Sequence, residues 1–186
     1  MRSAVNDLLI LNQTILSELA TRDLWDDGVF AGLYILPVLA KFLSIRPDIN
    51  GYSPALARQE SCRIGALLYL AGIRHRFGVQ FSAHIYIPKL KQAIISQAGS
   101  NAEEISPLIV WLLVLGGTQS FMNEDHKWFV QATAALVQRL QLSTWDGLMD
   151  TVRMVSWIEG ILEVECDLFR MEVSSESWNS HEHLFS

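Results

Sequence analysis

Five histidines, two cysteines and a scatter of carboxylates are the residues of this chain from which chemistry could start. Glu159 and Glu163 stand one helical turn apart, with Glu165 and Asp167 close by. Paired carboxylates can hold a metal or divide acid and base roles. A metal centre in a helix bundle also needs Glu-x-x-His partners, however, and the sequence has none. These carboxylates therefore read as a solvated acidic face. His181-Glu182-His183 has a metal-like composition but belongs to a polar tail, where incidental surface histidines are the ordinary case. His126, between Asp125 and Lys127, falls in the first turns of a helix and suits a capping or surface role. His75 follows Arg74 at a helix end, where its charged form meets the negative end of the helix dipole.

Nucleophiles are equally sparse. There is no G-x-S-x-G elbow, Walker loop or dinucleotide-binding glycine pattern. Cys62 sits beside Arg63 near a helix start, a setting that can lower a thiol pKa, yet its neighbours read as core. The two cysteines are isolated, with no CxxC and no Cys/His cluster, which excludes a zinc site or disulfide framework and leaves buried small hydrophobes in a reducing compartment. Tyr69, Trp111, Trp128 and Trp157 either line an apolar pocket or fill the core. With His75, His126 and Glu159 they form the candidate ligand pocket. No catalytic residue, metal ligand or cofactor is assigned.

The elements that must position these residues are helices. Pro107 to Gly117 contains no charged side chain, and a helix apolar on every side must be buried. It is about half the roughly 20 residues needed to span a bilayer, so it belongs inside a globule. Ser106 and Pro107 suit its first positions, Glu103 and Glu104 favour its positive end, and Gly116-Gly117 allows a stop or bend. Asn123, Glu124 and Asp125 then start a helix running to Leu142.

Earlier, Ala4 to Arg22 carries Val5, Leu8, Leu9, Asn12, Ile15, Leu16 and Leu19 at helical spacing. Trp25 to Ser44 forms a second helix kinked at Pro37, or two split near Leu36. Arg46 to Gly51 is a loop, and Ser53-Pro54 opens a helix reaching Arg76 before Gly78. Pro88 to Gln97 is a shorter amphipathic helix with Leu90, Ala93 and Ile94 inward. Thr144 to about Glu172, capped by Ser143 and Asp146, carries a long stripe from Trp145 to Phe169. No strand period competes. The expectation is an all-α bundle of about seven helices around a buried central helix, one domain over 1–173 with a frayed polar tail over 174–186.

Composition sets further bounds. Half the residues are hydrophobic, and the mean hydropathy of +0.22 is high for a chain that is 18% charged. Such a balance suits fully buried helices or apolar surface covered by a partner. A net charge of −6 argues against direct nucleic-acid binding, which needs a basic surface. The start, MRSAVNDLLILNQ, interrupts its apolar run with Asp7 and is not read as a signal peptide. No membrane association is expected.

Three segments then carry a family likeness: Arg58 to Gly78 (RQESCRIGALLYLAGIRHRFG), Ser106 to Gly117 (SPLIVWLLVLGG) with Lys127 to Val130 (KWFV), and Ser143 to Phe169 (STWDGLMDTVRMVSWIEGILEVECDLF). In order and approximate spacing they resemble the C-terminal part of the fungal-specific transcription factor domain, the regulatory region of zinc binuclear cluster transcription factors. The similar positions run from Cys62, Gly65, Tyr69 and Arg76 through Trp111, Gly116, Gly117 and Trp128 to Trp145, Trp157, Glu159, Cys166 and Asp167. Most are core positions. The resemblance implies an all-helical regulatory protein, nuclear or cytoplasmic, acting through an apolar small molecule or a protein partner. The family's DNA-binding part uses six cysteines around two zinc ions, and this chain has two cysteines in all. DNA binding in the family's manner is therefore not expected of it.

Matching only half of the family domain, the chain should leave apolar faces open on its first two helices, at Leu33, Tyr34, Leu36, Leu39 and Phe42. A homodimer or a stable complex follows. The second reading is a helical scaffold turned to small-molecule chemistry, such as a cyclase or isomerase acting on an apolar secondary metabolite. An inward His75, His126 or Glu159 beside aromatic walls would favour it.

Overall fold

The structure, a computed structural model, describes residues 1–46, 53–80, 82–97 and 106–182, with side chains through Ser177. The loop expected at Arg46 to Gly51 and the acidic pair Glu103-Glu104 lie largely or wholly outside these residues. All regular structure among the described residues is helical, as the periodicity requires.

Helix α1 (Arg2–Leu19) buries Ala4, Leu8, Leu11 and Ile15, a narrower stripe than expected. Leu9 and Leu16 stay exposed, because the buried positions repeat at four and three residues and leave these two on the flank. The next stretch is helical throughout: α2 (Gly28–Phe30), a π turn (Ala31–Ile35) and α3 (Leu36–Ser44). The wide turn lets the helix reach Pro37 without the backbone bond that proline cannot donate, so Pro37 neither splits nor ends it. Asp27 starts this run by accepting the Phe30 N–H, at 2.9 Å. Lys41 ties α3 to Asp7 of α1 at 2.5 Å.

Two helices are buried along their middles. Helix α4 (Pro54–Arg76) is capped by Ser53, whose hydroxyl accepts from Leu56, and buries every residue from Ile64 to Ile73. It ends as expected at Gly78, whose φ of +74° allows the Gly78 N–H to reach the His75 carbonyl and the Val79 N–H that of Arg74. A short 3₁₀ turn (Ala83–Ile85) leads to α5 (Ile87–Gln97), which packs on α4. Helix α6 (Pro107–Gln119) buries Val110 to Thr118 and touches α4, α5, α7, α8 and α9.

Several details of α6 correct the sequence reading. Ser106 occupies the N-cap position, but its hydroxyl takes no backbone N–H. Gly116-Gly117 does not bend the chain, and the helix continues two residues further. The pair serves close packing: a Cβ on Gly116 would come within 2.8 Å of the Phe129 ring.

Helix α7 begins at His126 and ends at Arg139, shorter at both ends than expected. The expected last helix is two, α8 (Trp145–Arg153) and α9 (Glu163–Glu182). Helix α8 ends at Arg153, and the connection that follows turns at Gly160, φ +81°, while Ile158, Ile161 and Leu162 are buried. Thr144 rather than Ser143 caps α8, accepting from Gly147 at 3.2 Å. The stretch beyond Ser174 continues α9 instead of fraying at once. These divisions give nine α-helices among the described residues, besides the π turn and the 3₁₀ turn, where about seven helices were expected.

Candidate functional site

The candidate pocket residues fall into five places. Tyr69 on α4 and Trp111 on α6 meet edge to face at the centre, with ring centroids 6.0 Å apart, and both are buried. The Tyr69 hydroxyl donates to Asn12 Oδ1 of α1, and Trp111 Nε1–H donates to the Ser156 carbonyl at 2.7 Å. Burial holds the Tyr69 phenol above its ordinary range, so it is neutral at any physiological pH. These two rings are core that carries its own polar partners.

Trp157 and Glu159 lie on the α8–α9 connection and line a cavity of about 230 Å³ together with Trp145, Met149, Arg153, Cys166 and Arg170. Glu159 accepts from Arg153 Nε at 2.9 Å and is otherwise open to solvent. Cys166 is partly buried, and burial, reinforced by Asp167 and Glu159, pushes its thiol to about 11. Cys62 is likewise partly buried and raised by burial, despite its neighbour Arg63, which bonds Glu60 at 2.6 Å. Neither is an activated nucleophile.

Trp128 sits apart, half-buried on α7, under the Lys91 ammonium at 5.7 Å. His126 is also apart, in an arrangement that no sequence pattern announces. Its Nδ1 shares a 2.8 Å hydrogen bond with Ser120 Oγ, and its Nε2 donates to Glu172 Oε2 at 2.8 Å. Its ring packs on Phe121 and Phe169. A serine, a histidine and a carboxylate in series suggest acyl transfer, but two facts oppose it here. Ser120 is fully buried, and its hydroxyl also lies 3.0 Å from the Gly117 carbonyl. No substrate carbonyl reaches that oxygen. The trio clasps the end of α6 and the start of α7 to α9.

His75 alone of the seven lines a second, roomier cleft, about 620 Å³, at the C-terminal ends of α4 and α6. Sequence reasoning missed its companions His84, Gln119, Phe121 and Glu165. They come from four separate elements, so no local spacing could reveal them. Its lining mixes apolar Ala71, Phe121 and Leu162 with polar Gln80, Ser82 and Gln119. Gln119 is fixed by donating to the Leu68 carbonyl at 2.8 Å. The cleft can hold a small molecule with both apolar and hydrogen-bonding parts.

Among the described residues no group of three or more His, Cys, Asp or Glu side chains is arranged to hold a metal, and no helix is long and apolar enough to cross a membrane. No protein-family model matches the chain, and neither a curated protein nor a solved structure matches it.

Proposed function

We propose that this chain is a transcription-factor-like regulatory domain that works through association with another chain and does not itself bind DNA. The three family-like segments supply the class of protein, and the apolar surface of α2–α3 supplies the mode of action. Leu33, Leu36 and Leu43 are 66%, 47% and 54% exposed, and Val29 and Tyr34 add to the same run. Leu36, Ala40 and Leu43 follow a four- and three-residue spacing on one face of α3. Residues of this type, left in water so densely, mark an interaction surface. Their flanking positions, Pro37, Leu39 and Ser44, carry no charge, so a second copy meets no repulsion there. Two of the side chains expected on this face lie elsewhere: Phe42 is fully buried and Leu39 is half-buried.

Tethering tests the regulatory reading directly. Fused to an unrelated DNA-binding domain, the chain should change transcription of a reporter bearing that domain's site. The Leu36→Glu/Leu43→Glu variant should lose the effect. An unchanged reporter, with the fusion stably expressed, would refute the proposal, and so would tight sequence-specific DNA binding by the unfused chain.

One observation favours the second reading, a helical scaffold turned to small-molecule chemistry. His75, His84 and Glu165 line one cleft together with Phe121, and these residue types can divide acid and base roles. Turnover of a secondary-metabolite mixture that disappears in His75→Ala would replace the regulatory reading with this one.

A further inference from the structure

Helix α9 is apolar on two opposite faces. Inward, Phe169 and Val173 join the core, as does Leu162 just before the first turn. Outward, Val164, Leu168 and Met171 are 68%, 42% and 59% exposed. Their four- and three-residue spacing places them in one line along the helix, the spacing of a coiled-coil seam. The core already has its share of α9, so this second line is not needed for folding.

The borders of the line differ from those on α3. Glu163 and Asp167 run along one side, and Glu165 and Glu172 along the other. Arg170 sits further round, on the side of the smaller cavity. Among the described residues, Glu172 alone of the four carboxylates is in an ion pair, with His126. In coiled-coil terms Glu165, Asp167 and Glu172 occupy the flanking positions whose charge selects the partner. Against a second copy of the same helix these carboxylates would face one another, which disfavours self-pairing. Against lysines or arginines they would form interhelical ion pairs. An anionic membrane is disfavoured by the same charges.

We propose that the outer face of α9 is a docking ridge for an amphipathic helix of a protein partner, apolar along its seam and basic along its flanks. It uses a different face from the self-association through α3, and either can hold without the other.

The probe is a labelled synthetic helix of about three heptads with leucine and isoleucine in the seam and lysine or arginine on the flanks. Its control carries glutamate on the flanks. Fluorescence anisotropy with the full chain should show binding of the basic peptide, weaker at higher salt, and none of the acidic one. Leu168→Gln/Met171→Gln, both at exposed positions, should weaken binding about tenfold or more. Glu165→Lys/Asp167→Lys should reverse the preference between the peptides, a result that mere misfolding cannot give. Leu36→Glu/Leu43→Glu should leave binding unchanged, which separates this surface from the α3 face. Equal binding of the two peptides, absence of binding, or indifference to the α9 substitutions would overturn the proposal.

Discussion

Gly117 of α6 lies against the ring of Phe169 of α9 so closely that a Cβ on the glycine would come within 2.7 Å of Cε1 and nearer still to Cζ and Cε2. Phe169 is fully buried and has nowhere to swing. The absence of a side chain at one residue thus sets how deeply α9 seats on the central helix. Gly117→Ala should destabilise the fold by about 1–3 kcal/mol or more through overpacking. Combined with Phe169→Ala, it should cost less than the sum of the two single changes, a coupling of about 0.5–3 kcal/mol. Urea denaturation of the four proteins in the cycle checks this, and strict additivity would contradict the contact.

Trp111 is the second anchor of the core. It is buried beside Tyr69, and its ring nitrogen satisfies the Ser156 carbonyl on the α8–α9 connection. Trp111→Ala should cost about 3–5 kcal/mol by loss of a large buried ring. Trp111→Phe keeps most of the volume, loses the hydrogen bond and leaves a buried carbonyl unpaired, a loss of about 1–3 kcal/mol. Thermal melting should fall by at least about 6 °C for the alanine variant. A shift of a degree or two would mean that the ring is not part of the core.

Cys166 gives a prediction in pH. Burial and the neighbouring carboxylates raise its thiol to about 11, so the folded chain favours the protonated form. At pH 8 the thiolate should be about a hundredfold scarcer than for an ordinary cysteine, and alkylation by iodoacetamide correspondingly slow. The rate should climb as pH rises toward 11, and unfolding in urea should abolish the protection. Rapid labelling of the native protein at pH 8 would contradict the placement.

The all-α class was readable because helix starts stand before the two long apolar runs, at Ser53-Pro54 and Ser106-Pro107, and no segment shows the alternation of a half-buried strand. Caps at Ser53 and the stop at Gly78 were readable because their chemistry is local. The break after Arg153 was hidden because the apolar spacing of Leu148, Val152, Val155, Ile158 and Leu162 continues through it. Gly116-Gly117 was misread for a related reason: a glycine that bends a chain and a glycine that admits a neighbour's ring look alike in one dimension. The candidate pocket dispersed because Tyr69, Trp111, Trp128 and Trp157 are spread over three helices and a connection. The clasp of Ser120 and His126 with Glu172, 46 residues beyond the histidine, and the cleft of His75 with His84 and Glu165 are juxtapositions made by the fold alone.

Association through the α2–α3 face is the centre of the functional reading, and multi-angle light scattering on the purified chain at micromolar concentration tests it most directly. Each Å² of apolar surface withdrawn from water contributes roughly 25 cal/mol, set against the entropic cost of joining two chains. The expected mass is that of a dimer, twice 21.0 kDa. The Leu36→Glu/Leu43→Glu variant should fall to the single-chain mass with its helical circular dichroism unchanged, since both positions are exposed. A monodisperse wild-type species of 21.0 kDa would contradict self-association and leave the cleft beside His75 as the better place to look for the protein's activity.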